Sequence, residues 1–243
     1  YPESEVPDAL ALERRRHETF AATRMGLYLG GEKYFNVLDR AMRAEPFIPV
    51  LVTGQSGGGK SALLANWVER YRQAHPETGV IVHHLGSGAD AADPVKMVVR
   101  LMQEIARITG DDLQLESDAE KQLQQLPMQL ATASAWAERT QGELLFVLDG
   151  LDKVSDRKNL IWFPSIMPAG IKMVVSCLEG EILKAAVGKL EWQTLMIEPF
   201  SNEEQAAFIR EYLGRYRKAL TPEQTRALQR FPLSGNPLFL LTV

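Results

Sequence analysis

Eight consecutive residues, Gly54-Gln55-Ser56-Gly57-Gly58-Gly59-Lys60-Ser61, carry the densest chemistry in this 243-residue chain. They follow the apolar run Ile48 to Val52. They precede Ala62 to Tyr71, where Leu63, Leu64, Trp67, Val68 and Tyr71 fall on one helical face. Four glycines allow positive φ and let successive backbone N–H groups turn inward as an anion nest. Placed at a helix N-terminus, the nest gains from the helix dipole, which also favours negative charge. Such a cradle takes a polyphosphate. Lys60 would meet the β- and γ-phosphates as a point charge, and the Ser61 hydroxyl would be one ligand of Mg²⁺, which keeps several of its waters. A glycine-rich turn with a surface lysine is the plain alternative. The strand before the pattern and the helix after it argue for the phosphate loop, extending from Gly54 to Ala62.

A second group lies some ninety residues on. Asp149-Gly150-Leu151-Asp152 closes the continuous apolar run Leu144 to Leu148, the pattern of a central strand buried on both faces. That strand would deliver Asp149 to the same sheet edge as Ser61, where its carboxylate holds Mg²⁺ through a metal-bound water. Asp152 would orient or deprotonate an attacking water. Lys60, Asp149 and Asp152 are therefore the expected catalytic set, with Ser61 and Asp149 at the metal. A turn with two solvated aspartates is the competing reading. His83 and His84 have no companion Cys, His or carboxylate at ligand spacing and are expected to pack at a strand end rather than bind zinc. No Ser/His/Asp constellation and no kinase catalytic loop is present.

The elements that must position these groups alternate. Strands are expected at Ile48–Val52, Val80–Leu85, Leu144–Leu148, Ile171–Ser176 and Leu195–Ile197. Helices are expected at 9–25, at Glu32–Ala44, after the phosphate loop, and from the Asp93 N-cap with Pro94 at N1. A further helix with a period from Leu123 to Ala137 should kink or restart at Pro127. Residues 110 to 118 read as a solvated loop, and Arg14-Arg15-Arg16 as a solvated helix face. This order implies an α/β fold, a three-layer αβα sandwich around a parallel sheet of about five strands, with ligand at the strands' carboxyl ends. From Ser201 the pattern turns all-helical, with capping boxes at Ser201–Glu204 and Thr221–Gln224. The expected divisions are 1–46 as a helical linker, 47–200 as the core, and 201–243 as the opening of a helical subdomain.

Hydrophobic residues make up 45% and charged residues 24%, with net charge −4, so no overall basic field recruits nucleic acid or anionic membrane. Nucleic acid and membrane are not expected partners. The one cysteine, Cys177, sits in an apolar run and fits a reducing cytosol as a buried small hydrophobe. No apolar window reaches membrane-spanning length, and the first residues lack the pattern of a signal peptide. A cytoplasmic location is expected. Tyr1 at the start and the apolar Leu240-Leu241-Thr242-Val243 at the end read as cuts within a longer protein.

The phosphate loop, or P-loop, together with Asp149-Gly150-Leu151-Asp152 and Gly235-Asn236-Pro237-Leu238, resembles the NACHT module of the STAND class of signal-transduction ATPases. The nearest flavour is the nephrocystin and telomerase-associated group. His17-Glu18-Thr19-Phe20-Ala21 with Tyr28-Leu29-Gly30, His84-Leu85-Gly86, and Ile171 to Cys177 resemble that group as well. The resemblance implies an ATP/ADP-switched regulator. In it Tyr28 and Leu29 border the base, Pro237 holds the adenine against the helical subdomain, and the active state self-associates to engage effector and sensor domains outside this chain. It also brings out departures. Lys153 stands where many relatives have an acid, Leu178 follows the fourth strand where many STAND ATPases carry an arginine, and Gly31 replaces a frequent arginine. Binding of ATP or ADP with Mg²⁺ is thus better founded than hydrolysis. The alternatives that stay open are a nucleotide-binding scaffold without turnover and another P-loop enzyme such as a small-molecule kinase or helicase.

Overall fold

The computed structural model describes residues 8–26, 28–155, 162–178, 180, 188 and 190–242. Five parallel strands form one sheet in the order β2-β3-β4-β1-β5, with β1 at Val50–Gly54, β2 at Gly79–His84, β3 at Leu144–Asp149, β4 at Ile171–Ser176 and β5 at Gln193–Ile197. The first strand begins two residues later than its apolar run and takes in Gly54. Alternation along β3 explains the layers. Leu144, Phe146 and Leu148 face one cluster with Leu51, Met97, Leu101 and Ile105. Leu145 and Val147 face the other, with Val52, Leu63, Leu64 and Trp67. Parallel strands covered on both faces read as unbroken apolar runs for this reason.

Helix α1 covers Ala9–Arg24, α2 Glu32–Met42 and α3 Lys60–Ala74. Helix α4 spans Pro94–Thr109, capped by the Asp93 carboxylate, which accepts from the N–H groups of Val95 and Lys96, and stopped at Gly110 with φ +74°. Helix α5 runs from Ala119 to Thr140 with Pro127 inside it, so of the expected kink or restart the restart does not occur. The indole N–H of the fully buried Trp67 donates to Asp39 at 2.8 Å, so Trp67 belongs to the core between α3 and the sheet.

The outer edge of β2 is closed by side chains. Arg72 donates to the Val80 carbonyl at 3.2 Å and Arg100 to the Val82 carbonyl at 3.0 Å, while the His84 N–H donates to His17 Nδ1 at 3.1 Å. Helix α1 is pinned there by Arg14, whose guanidinium grips the buried Glu104 carboxylate with two bonds of 3.1 and 3.0 Å. Arg14 is therefore an anchor and departs from the expected solvated face. The bidentate geometry and a mostly buried acceptor give it more weight than an exposed pair.

After β5, helices α6 (Asn202–Gly214), α7 (Pro222–Gln229) and α8 (Pro237–Thr242) follow. Both expected capping boxes form, at Ser201 with Glu204 and at Thr221 with Gln224. Phe208, Ile209 and Leu240 make a small cluster of their own, with Leu29 packed against it. Among the described residues no helix is long and apolar enough to cross a membrane.

Candidate active site

The P-loop takes its shape from three glycines with positive φ: Gly54 at +147°, Gly57 at +74° and Gly59 at +95°. Gly59 is the left-handed residue from which α3 departs. At Gly57 the demand is twofold, because a Cβ would also lie 2.8 Å from Asn236 Oδ1 and 2.9 Å from Leu238 Cβ. The loop places Lys60 at its mouth, where the ammonium donates to the carbonyls of Gly54 and Gln55, both at 2.8 Å. Burial lowers the Lys60 pKa from its ordinary value, with Asp152 and Asp149 opposing that shift.

The sheet register assembles the second half. His84, Asp149 and Ser176 are each the last residue of their strands and pair across β2, β3 and β4. All three are buried. Asp149 Oδ1 accepts from the Ser61 hydroxyl at 3.0 Å and from the Ser176 hydroxyl at 2.6 Å, while Oδ2 meets His84 Nδ1 at 2.9 Å. Ser176 is fixed in turn, its Oγ accepting from the Gly150 N–H at 2.8 Å. Burial works against the Asp149 charge, yet the bonds from His84, Ser176 and Ser61 hold its carboxyl below the usual carboxylate range. Asp149 is thus ionised at neutral pH.

The turn after β3 carries the remaining candidates. Gly150 adopts φ +84°, and Asp152 follows in a short 3₁₀ turn at Leu151–Lys153. Asp152 Oδ1 accepts from the Leu178 N–H at 2.9 Å, so the residue in the arginine position serves the site through its backbone. The exposed Lys153 lays its stem against Gly150 and its ammonium beside Gly86, at the ends of β3 and β2. Cys177 is fully buried, and burial first, with Asp152 second, pushes its thiol up to about 12, the behaviour of a packing residue rather than a nucleophile.

Ser61 and Asp149 therefore come together as expected, with Lys60 alongside. One hydroxyl and one ionised carboxylate 3.0 Å apart form the sparse oxygen set from which Mg²⁺ retains most of its waters, so the residues fit that ion. Ala62 lies in the first turn of α3, behind the loop. Tyr28 packs at a tilt on Phe35 with ring centres 5.6 Å apart, and its ring occupies the space a Gly31 side chain would need. Burial raises its hydroxyl pKa. Leu29 belongs to the helical cluster. Pro237 opens α8 and meets the loop through its neighbours: Asn236 Nδ2 donates to the Ser56 carbonyl at 2.7 Å and the Leu238 N–H to the Gly57 carbonyl at 3.4 Å.

Sequence reasoning missed Ser176, His84 and Asn236 as parts of the site. The first two end apolar runs, as Asp149 does, which is the signal that they share a row. Asn236 offers only a turn-forming residue.

The NACHT domain family profile matches residues 48–216, more than half of the chain. A TPR repeat-containing protein of Dictyostelium discoideum is 27% identical over 226 residues, covering 78% of this chain and 14% of its own length. Human nephrocystin-3 is 28% identical over 222 residues, covering 90% of this chain and 16% of its own. The chain thus spans about one seventh of the length of these relatives. Among solved structures, a Signal Transduction ATPase with Numerous Domains (STAND) protein with a tetratricopeptide repeat sensor, from Pyrococcus horikoshii, aligns with a TM-score of 0.50. It is 15% identical and covers 90% of this chain and 30% of its own, a likeness of fold. With the P-loop, the Asp149 row and the parallel sheet already in place, the profile match settles the class: the chain belongs to the NACHT domain family of P-loop NTPases.

Proposed function

We propose that this chain is the nucleotide switch of a larger signalling protein. It binds ATP or ADP with Mg²⁺ at Gly54–Ala62, hydrolyses ATP slowly, and passes the nucleotide state to the helical segment 201–243. The observation that carries this reading is the contact of Asn236 and Leu238 with Ser56 and Gly57. The segment that follows the core rests directly on the loop that would hold phosphate.

In this mechanism the P-loop amides and Lys60 bind and orient the phosphates, and Ser61 with Asp149 hold the metal, whose chemistry is to neutralise phosphate charge. Asp152, tethered by the Leu178 N–H, orients the water. Tyr28 and Leu29 border the base, and Pro237 helps hold the adenine against the helical segment. A nucleotide shifts the segment only to the extent that ATP and ADP differ in affinity for its docked and released positions. Released, the module self-associates and engages effector and sensor domains elsewhere in the protein, in the cytoplasm, with an immune or antiviral role. Sensor repeats of the tetratricopeptide kind, as in the Pyrococcus horikoshii protein, suit such a region.

A second reading, a nucleotide-bound scaffold without turnover, draws on Leu178 standing in the arginine position and Lys153 beside Asp152. One experiment separates the two. Denaturing the purified chain and identifying the released nucleotide, then following phosphate release from Mg-ATP, supports the switch if ADP is found with slow turnover. Intact ATP without turnover supports the scaffold. Lys60→Ala should weaken nucleotide affinity by roughly ten- to a hundredfold, the loss of one or two charge-assisted bonds. Calorimetric titration checks it, with an unchanged circular dichroism spectrum as the folding control. Unaltered affinity would remove Lys60 from the site.

A further inference from the structure

We propose that His84 is a positioning residue for Asp149, and that helix α1 holds it in place through His17. The inference rests on the nucleotide-binding reading and extends the site to a part of the chain outside the matched family segment.

Three bonds reach the Asp149 carboxylate, and they divide unevenly. Ser61 and Ser176 both donate to Oδ1, which leaves His84 as the Oδ2 partner. An ionised carboxylate can only accept, so the proton lies on His84 Nδ1. The pairing follows from the fold, because His84 and Asp149 are register partners at the ends of neighbouring parallel strands, 1% and 2% exposed. An imidazole donating to a carboxylate at the metal sets the carboxylate's rotation, and with it the oxygen offered to the ion.

The imidazole is held from the other side by α1. Phe20 packs on the His84 ring at 5.0 Å, and His17 Nδ1 accepts the His84 N–H at 3.1 Å. His84 ends an edge strand, so no neighbouring strand supplies that acceptor. His17 is fixed against His83, with ring centres 4.4 Å apart, and lies 3.3 Å from the Ser87 hydroxyl. It is 3% exposed, and Arg14, one turn earlier on α1, ties the helix to Glu104. Departure of α1 would strip the His84 ring and strand end of these contacts, and through them loosen Asp149. Helix α1 therefore acts on the metal side of the site.

The test is the tightening of ADP binding by Mg²⁺, measured by calorimetry as the ratio of affinities in Mg²⁺ and in EDTA, on the full chain. His84→Phe keeps a ring beside Phe20 and removes the donor. His84→Asn keeps an amide donor near the Nδ1 position and removes the rest of the ring. His84→Phe is expected to lower the Mg²⁺ ratio about ten- to a hundredfold, the usual loss for an outer partner of a metal ligand. His84→Asn should retain it, with binding in EDTA equal in all three proteins. His17→Phe, lacking the acceptor, should lower the ratio by less than His84→Phe does. If His84→Phe fails to fold, His84→Leu takes its place with the same expectation. An unchanged ratio in the variant without a donor, or equal losses in the Phe and Asn variants, overturns the role of His84. An unchanged ratio in His17→Phe overturns the role of α1. If the parent chain binds ADP without any Mg²⁺ effect, the positioning idea falls alone; if it binds no ADP at all, the nucleotide reading falls and takes the positioning idea with it.

Discussion

The carboxyl edge of the sheet and the helical segment after it meet at the P-loop, yet they are built in opposite ways. On the sheet side, Asp149 is fixed by three side-chain donors, of which His84 and Ser176 are buried, and by the register of three strands, with two large apolar clusters behind it. On the helical side, Phe208, Ile209 and Leu240 are the whole buried apolar set among the described residues. The attachments there include one amide bond from Asn236, the Phe200 N–H on the Gly235 carbonyl at 2.8 Å, and the exposed Lys33–Glu204 pair at 3.2 Å. In the proposed switch a chemical group must be held still, whereas a reporter must be able to leave. Burial supplies the first property and its scarcity the second.

Acid should test the contrast most severely. Burial first, then the charges of His83, Arg100, His84 and Arg16, bring His17 down to about 2. Burial and Arg100 bring His83 to about 3, against the Ala91 carbonyl bond. Both are neutral when folded but protonated when unfolded below about pH 6.5. Their contribution is therefore complete above that pH and is lost as the pH falls toward 3. The limiting slope is about 2.7 kcal/mol per pH unit for two protons. The depressed Asp149 carboxyl adds a further loss below about pH 4. Urea midpoints between pH 7 and 4 should show this decline, and His83→Gln should roughly halve its slope.

Truncating one core residue on each side comes next. Leu148→Ala, at a position 1% exposed, should cost about 2–5 kcal/mol and lower the main thermal transition. Phe208→Ala removes a larger side chain, yet should leave that transition in place and expose 201–242 to protease. A single shared transition in both variants would mean that the two regions unfold as one. The smallest effect belongs to Asn236→Ala, which removes the exposed bond to Ser56 and the two that its Oδ1 accepts from the Leu238 and Phe239 N–H groups, together about 1–2 kcal/mol. Hydrogen exchange should accelerate in Pro237–Thr242 while the strands keep their protection.

Legibility in the sequence follows the same division. Gly54 to Ser61 and Asp149 could be read because the loop and the strand end are local, and their chemistry demands particular residue types at fixed spacing. The five strands, the Asp93 cap and both capping boxes were readable on the same ground. His84 and Ser176 were not, since their roles depend on β2 and β4 flanking β3, and strand order leaves no trace in periodicity. Arg14 looked solvated because its partner, Glu104, is ninety residues away. Pro127 promised a kink or a restart, but only one N–H is lost, and packing of Leu123, Leu126 and Leu130 carries the helix past it without a restart. Asn236 owes its place to a contact 180 residues distant, although Gly57 offers a clue in retrospect: no side chain fits beneath that amide.

The closed edge of β2 bears on how the protein tolerates crowding. Unpaired strand edges are templates on which other chains add, and long exposed ones seed aggregates. Here two guanidinium groups and an imidazole already occupy the outward carbonyls of Val80 and Val82 and the N–H of His84. An incoming strand would have to displace all three and leave Arg72 and Arg100 without their acceptors. At this edge the sheet therefore offers no ready template to a second chain, however closely copies are crowded together.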